Sequence, residues 1–314
     1  MTRKYILATI VAISLSAATS TIVAGHHGSN FSAVVNPEIP MEMTFAGQKI
    51  DLDRIDMAER LDRELTSMAY THGNTLLIIK RANRLFPVMV PILEANGVPR
   101  DLIYLACIES MLDIRALSPA KAAGIWQFMP DTGRQYGLEV NEYVDERYDP
   151  EKATAAACRY LKAAYAKYGN WESVAASYNA GMGRISGELS KQGVNTAFDL
   201  YLNNETNRYM FRLLAQKLIM ENPSMFGFQL TDNQLYQPIE TVGVEVSTPV
   251  ADWQQWALDH GTNYMTLREL NPWIRDRKLP NEKSKTYIVK IPANKEAMKR
   301  SHYRNKTYNP NWTK

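Results

Sequence analysis

Apolar residues recur at helical spacing from Ile55 to about Phe228, with little strand-like alternation. End signals divide this stretch into separate helices. Pro99-Arg100-Asp101 opens an apolar run that reads as a helix to about Leu112. Asp149 followed by Pro150 is an N-cap with proline at the first helical position, where its missing N–H has no helical partner to lose. Behind it Ala153, Ala156, Ala157, Tyr160, Leu161 and Ala164 form one apolar face, and Gly169 stops the run. Asn170 caps a short helix that reaches Gly181. A longer one, from about Glu205 to Met220, stops at Asn222-Pro223.

Beyond Leu230 the pattern changes. Val242–Val246 and Tyr287–Ile291 alternate as strands, with helical spacing over 249–260 and 265–270 between them. The chain therefore reads as mainly α, a helical domain over 55–228 followed by a small βααβ module within 229–294. Residues 295–314 hold six cations against Glu296 alone and read as a basic tail. At the other end Arg3 and Lys4 precede an uncharged apolar run from Tyr5 to about Ala18, followed by small residues. This is the pattern of a cleavable signal peptide over 1–25. The run falls short of the ~20 apolar residues that a membrane span needs. Residues 26–54 are weakly patterned and read as a linker with no fold of their own.

Composition adds limits. The 314 residues carry 36 Lys+Arg against 33 Asp+Glu, a formal charge of +3, and removal of Arg3 and Lys4 brings the mature chain close to neutral. Such a balance gives no reason to expect nucleic acid. Hydrophobic residues at 45% exclude a mostly disordered chain. Two cysteines make no disulfide framework, and five scattered histidines show no metal-ligand spacing, so neither metal nor cofactor is expected. No cysteine before Cys107 could carry a lipid. Cys107 reads as a small core residue, and a bridge to Cys158 stays open.

Glu109 is the outlier among the polar residues. It is the sole acid after Asp101 in the run Leu102–Leu112. A carboxyl among such neighbours is desolvated, which raises its pKa and suits it to proton transfer near neutrality. The alternative is a helix-end Glu facing solvent. Around it in sequence stand Ser110, the segment Gly124-Ile-Trp-Gln-Phe-Met-Pro130 and Ala176-Ser-Tyr-Asn-Ala-Gly181. Amides and aromatic rings near one protonatable carboxyl are the means of sugar recognition: hydrogen bonds to hydroxyl and N-acetyl groups, ring faces against the pyranose.

Glu109-Ser110, Gly124-Ile-Trp-Gln127, Ala176–Gly181 and Glu205-Thr-Asn-Arg-Tyr209 together resemble, in order and spacing, the four motifs of the family 1 (Slt-type) lytic transglycosylases. Arg81–Pro87 and Val144-Asp-Glu-Arg147 look like the membrane-bound lytic murein transglycosylase D subgroup. The missing lipidation cysteine departs from lipoprotein members and puts membrane attachment in question. The resemblance implies a lysozyme-like helical catalytic domain in an exported, periplasmic protein. Its activity would be cleavage of the β-1,4 bond between N-acetylmuramic acid and N-acetylglucosamine in peptidoglycan, leaving 1,6-anhydromuramic ends. Glu109 would be the catalytic residue, general acid and then general base. Ser110 would orient its carboxyl; Gln127 would bind the sugar or its lactyl-peptide arm; Phe128 and Met129 would line the cleft. Tyr178 would bring its hydroxyl near Glu109, Asn179 would meet an N-acetyl group, and Tyr209 would close the catalytic side. Trp126 is expected in the core, Asp113 in a structural role, and Glu205 in an ion pair.

The module with Leu267–Pro272 and Tyr287–Pro292 resembles a degenerate LysM domain, a unit that binds N-acetylglucosamine-containing glycans. The basic tail would suit an anionic wall polymer or a membrane surface, with a solvated terminus as the alternative. The partners implied are peptidoglycan glycan strands, acted on by a monomer. Two other readings stay open: a goose-type lysozyme-like hydrolase, and a non-catalytic wall-binding protein.

Overall fold

The computed structural model describes residues 38–303 and 306–314. The segment read as a signal peptide lies outside them, as does the start of the presumed linker. The first described element corrects the linker reading. Strands β1 (Glu42–Phe45) and β2 (Gln48–Asp51) form an antiparallel hairpin, from Glu42 opposite Asp51 to Phe45 opposite Gln48. Met43, Phe45, Ile50 and Leu52 are buried in the main core. The Ala46-Gly47 turn has positive φ at both residues, 52° and 80°, the twist that a two-residue hairpin needs. Asp101 fastens its tip by accepting the Ala46 N–H at 2.8 Å and binds Lys217 at 3.1 Å.

Helices α1 (Ile55–Tyr70) and α2 (His72–Ala95) follow, and a 3₁₀ turn over Arg100–Leu102 leads into α3 (Ile103–Ser110). This last helix ends at Ser110 rather than Leu112. Met111 and Leu112 both turn left-handed, at φ 54° and 56°. The Met111 N–H closes on the Cys107 carbonyl at 2.9 Å, and Arg81 Nη1 donates to the Met111 carbonyl at 2.9 Å. Two adjacent non-glycine residues in that region hold strain of the kind found at functional sites. The remaining helices of this part are α4 (Pro130–Gln135), α5 (Pro150–Tyr168), α6 (Trp171–Ala180), α7 (Met182–Gln192) and α8 (Asn204–Glu221). Their starts carry the caps read from sequence: Asp149 accepts from the N–H groups of Glu151 and Lys152, and Asn170 from that of Ser173. Helix α3 packs on α2 and α8, and every residue from Leu102 to Cys107 is buried.

In the C-terminal part β3 (Thr241–Val246) pairs antiparallel with β4 (Tyr287–Pro292), with α9 (Trp253–Asp259) and α10 (Tyr264–Leu270) between them. The mainly helical chain with a βααβ module is the architecture expected. The module has its own core around Trp253, Leu267 and Val289, and Val144 of the helical part enters it. Backbone joins the two: Asp145 N–H donates to the Trp273 carbonyl at 2.9 Å and Arg275 N–H to that of Tyr143 at 2.8 Å. Arg115–Glu269 at 2.7 Å and Lys290–Glu151 at 2.9 Å add ion pairs across the same seam. The module is docked, not tethered.

The described cations of the basic tail are exposed, but the segment is anchored through its tryptophan. Trp312 is 2% exposed, donates through Nε1 to the Met220 carbonyl at 2.7 Å and meets Phe86 edge-on. Buried Asn83 holds the neighbouring segment, donating to the carbonyls of Tyr236 and Lys306 and accepting the Tyr308 N–H. Cys107 and Cys158 are both buried and free. Among the described residues no helix is long and apolar enough to cross a membrane. Trp312→Ala is expected to cost about 3–5 kcal/mol, the range for emptying a tryptophan site, read as a lower midpoint in urea unfolding. A solvated terminus would leave the midpoint unmoved.

Candidate active site

Glu109 lies in the last turn of α3, where the buried helix first reaches the surface. Tyr209 of α8 donates its hydroxyl to Glu109 Oε1 at 2.7 Å. Burial pushes the Glu109 pKa up to about 7, the Tyr209 hydrogen bond works against that rise, and the charge of Glu205 adds to it. Burial likewise holds the hydroxyls of Tyr209 and Tyr178 well above the usual phenol range, with the Glu109 charge adding to both. At neutral pH the site therefore holds one carboxyl poised between its two protonation states and two neutral phenols. Glu64, buried on α1, accepts two hydrogen bonds from Arg208 at 2.8 and 3.1 Å and so locks the turn of α8 that presents Tyr209.

The loop facing α3 is built on a close approach. Gly124 has φ +74°, and a Cβ there would stand 1.8 Å from the Arg147 carbonyl oxygen, so no other residue fits. Arg147 is buried. Its Nε and Nη2 bind Asp145 at 2.9 and 2.7 Å, while Nη1 donates to the carbonyls of Lys121 and Phe128 at 2.8 and 2.9 Å. The planar guanidinium thus satisfies a carboxylate and two loop carbonyls at once. Trp126 sits in the core with Nε1 donating to Thr154 at 2.9 Å, as expected.

The other expected site residues divide. Tyr178 comes close enough for the Glu109 charge to act on it, but its hydroxyl donates to the Trp126 carbonyl at 2.7 Å. Ser110 does not orient the carboxyl: its buried hydroxyl donates to the carbonyls of Ala106 and Ile125, at 3.1 and 2.8 Å, and staples the loop to α3. Phe128 is buried edge-on to Tyr178, which makes it wall support rather than an open cleft face. Met129 is 43% exposed and free to meet a ligand. Gln127, at φ +48°, commits its NH₂ to the Gly124 carbonyl at 2.9 Å. Asn179 is half-buried beside Tyr178 and makes no side-chain hydrogen bond among the described residues. Asp113 pairs with Arg81 at 3.1 Å, a structural role. Glu205 is exposed, with no ion pair among the described residues, against the pairing expected for it. Arg147 was visible only as part of a sequence motif; the short Asp145-x-Arg147 spacing is the signal that marks a self-contained fork. Among the described residues no group of three His, Cys, Asp or Glu could hold a metal ion.

Residues 92–199 match the family model of the transglycosylase SLT domain, and residues 242–295 that of the soluble lytic transglycosylase C-terminal LysM-like domain. Over residues 92–199 the chain is similar to the transglycosylase SLT domain. The first three motif segments, through Gly181, lie within the SLT match, the fourth (Glu205–Tyr209) follows it, and the βααβ module coincides with the LysM-like match. Membrane-bound lytic murein transglycosylase D of Escherichia coli (strain K12) is 32% identical over 203 residues, 63% of this chain. The chain spans 43% of that relative's own length. Among solved structures, an inactive mutant of the lytic transglycosylase Slt from Pseudomonas aeruginosa overlaps at 23% identity and a TM-score of 0.37, covering 43% of this chain and 23% of that one. The 70 kDa soluble lytic transglycosylase of Escherichia coli overlaps at 20% identity and a TM-score of 0.38, covering 54% and 33%. Overlaps this partial add nothing to the domain matches.

The raised pKa makes the helical part's stability depend on pH in a definite sense. The folded carboxyl keeps its proton to about pH 7, whereas the unfolded one loses it near 4.5. Ionisation is therefore paid for by the fold, and the cost is absent below about pH 4.5, grows with pH and is complete above 7. At about 1.4 kcal/mol per pKa unit it approaches ~3 kcal/mol. Glu109→Gln, which still accepts from Tyr209, is expected to match the wild type in unfolding free energy at pH 4 and to exceed it at pH 8. Equal values at both pH values would show an unperturbed carboxyl.

Proposed function

We propose that this chain is a peptidoglycan lytic transglycosylase. One observation carries the reading: a desolvated carboxyl with a pKa of about 7, hydrogen-bonded by Tyr209, whose acidic neighbour Glu205 is exposed and reaches it only through its charge. A glycosidase of the usual kind needs two carboxyl groups. One suffices when the nucleophile belongs to the substrate. Protonated Glu109 donates to the glycosidic oxygen between N-acetylmuramic acid and N-acetylglucosamine as that bond breaks. The resulting carboxylate then takes the proton of the muramic C6 hydroxyl, whose oxygen closes on C1 to give the 1,6-anhydro ring. The proton count balances, and Glu109 ends as it began. Tyr209 favours the carboxylate stage and keeps the pKa from rising further. Met129 and Asn179 are the candidates for sugar contact, since their side chains are not engaged within the protein. Ser110, Phe128 and Arg147 act through the loop they hold.

The matched domains and the named relative support a murein substrate. The apolar N-terminal run supports export to the periplasm. In the same reading the LysM-like module binds glycan while its Trp273 carbonyl braces Asp145 behind the Arg147 fork. A hydrolase would share Glu109 but add water at C1. A non-catalytic protein would keep an acid whose ionisation destabilises it with nothing in return.

Digestion of purified sacculi by the wild type is expected to release muropeptides one water lighter than hydrolysis products, and Glu109→Gln to release none while keeping its fold. Hydrated ends would assign a hydrolase. Full activity of Glu109→Gln would remove Glu109 from the mechanism.

A further inference from the structure

Two cavities of about 300 and 600 Å³ share Arg84, Tyr236, Ile239 and Met298 in their walls and so form one groove. The smaller includes Leu112–Arg115, which follow Glu109-Ser110 after Met111. The larger is lined by Lys80, Arg84, Lys299 and Arg300 and by no Asp or Glu. In the smaller the acids are already matched, Asp113 with Arg81 at 3.1 Å and Glu269 with Arg115 at 2.7 Å. Lys299 pairs with Glu296 at 2.8 Å, and Arg300 donates to the Asn233 carbonyl at 3.2 Å. Lys80 and Arg84 have no ion pair among the described residues.

Arg84 is the informative one. Nε donates to the Gln237 carbonyl at 2.9 Å, and the guanidinium carbon lies 5.5 Å from the centre of the Tyr236 ring. These contacts fix the group where two cavities meet and leave its Nη donors without a described acceptor. Burial pulls its pKa down, and the charges of Tyr236, Tyr303 and Glu269 offset only part of that fall. Gln237 lines the same cavity, and its buried Nε2 has no acceptor among the described residues. A half-buried cation beside an unmatched donor is costly unless an anion completes it. The walls also offer Ile239, Met298 and the tyrosine rings, which suits an extended chain with apolar segments between its charges.

We propose that this groove binds an acidic peptide through its carboxylates, the peptide borne by the glycan strand as it leaves the cleavage site. The proposal rests on the lytic transglycosylase reading for the identity of the strand. Concavity and continuity with the segment after Glu109 favour a peptide over a lipid surface, which would need an outward-facing patch.

The test uses the full chain with Glu109→Gln, so that the ligand survives. Soluble glycan fragments of one length, with peptides intact or removed by an amidase, are compared by calorimetry. Peptide-bearing fragments are expected to bind about tenfold more tightly, the worth of one charge-assisted contact. Adding Arg84→Met should abolish that preference without changing affinity for bare fragments. Lys80→Glu, a substitution of a side chain with no described hydrogen bond, should do the same and decides the matter if Arg84→Met fails to fold. Equal affinity for both fragments, or a preference that survives both substitutions, would overturn the proposal. So would vesicles of anionic phospholipid whose binding is lost in these variants while the peptide preference stays. The readout is binding, so failure here is distinct from failure of the reaction assignment, which shows as missing anhydro ends in wild-type digests.

Discussion

Taking one carboxyl group out of water is the constraint on which the helical part depends. Helix α3 is buried from Leu102 to Cys107, so whatever follows in its last turn emerges from an apolar wall. Glu109 emerges there, and its pKa of about 7 is the direct consequence. A carboxyl in such a place destabilises the fold whenever it ionises. What limits that cost is one hydrogen bond from Tyr209, and Tyr209 is in turn held by the turn of α8 that Arg208 locks to Glu64. Burial raises the pKa of the acid, and a phenol limits the rise.

The second constraint is a buried ion pair that joins separate parts. Arg147 binds Asp145 and the carbonyls of Lys121 and Phe128, and the Asp145 backbone binds Trp273 of the module. Buried pairs often add little net stability, but breaking one leaves an uncompensated charge. Its use here is geometric. The loop with Gln127 and Met129 keeps its place because one guanidinium meets every acceptor around it, and Gly124 allows the backbone behind it to come that near. The C-terminal module is thus part of the scaffold of the helical part, not an appendage on a hinge.

Much of this was legible in the sequence, and the gaps have physical causes. Asp149-Pro150 and Asn170 announced their helices because capping is local chemistry, and the βααβ module showed in the alternation at Val242–Val246 and Tyr287–Ile291. Glu109 stood out as a lone acid in an apolar run. The hairpin at 42–51 was missed because strands of four residues give too short a pattern, and its Ala46-Gly47 turn lacks the usual asparagine or aspartate. The C-terminal anchor was missed because one tryptophan among polar neighbours shows no periodicity. Ser110 was assigned to the wrong partner because its acceptor, Ile125, becomes a neighbour only in the fold. Arg147 needed the same knowledge: its acceptors at 121 and 128 are distant in sequence.

Burial, set against the Tyr209 hydrogen bond, places the Glu109 proton near neutrality. The most direct measurement is the titration of that carboxyl by ¹³C NMR on protein labelled at the glutamate side-chain carboxyl, with the Glu109 resonance assigned by its absence from Glu109→Gln. A midpoint near pH 7 is expected. A midpoint in the ordinary range near 4.5 would show a solvated carboxylate, unable to act as a general acid at neutral pH, and would contradict this placement of the proton.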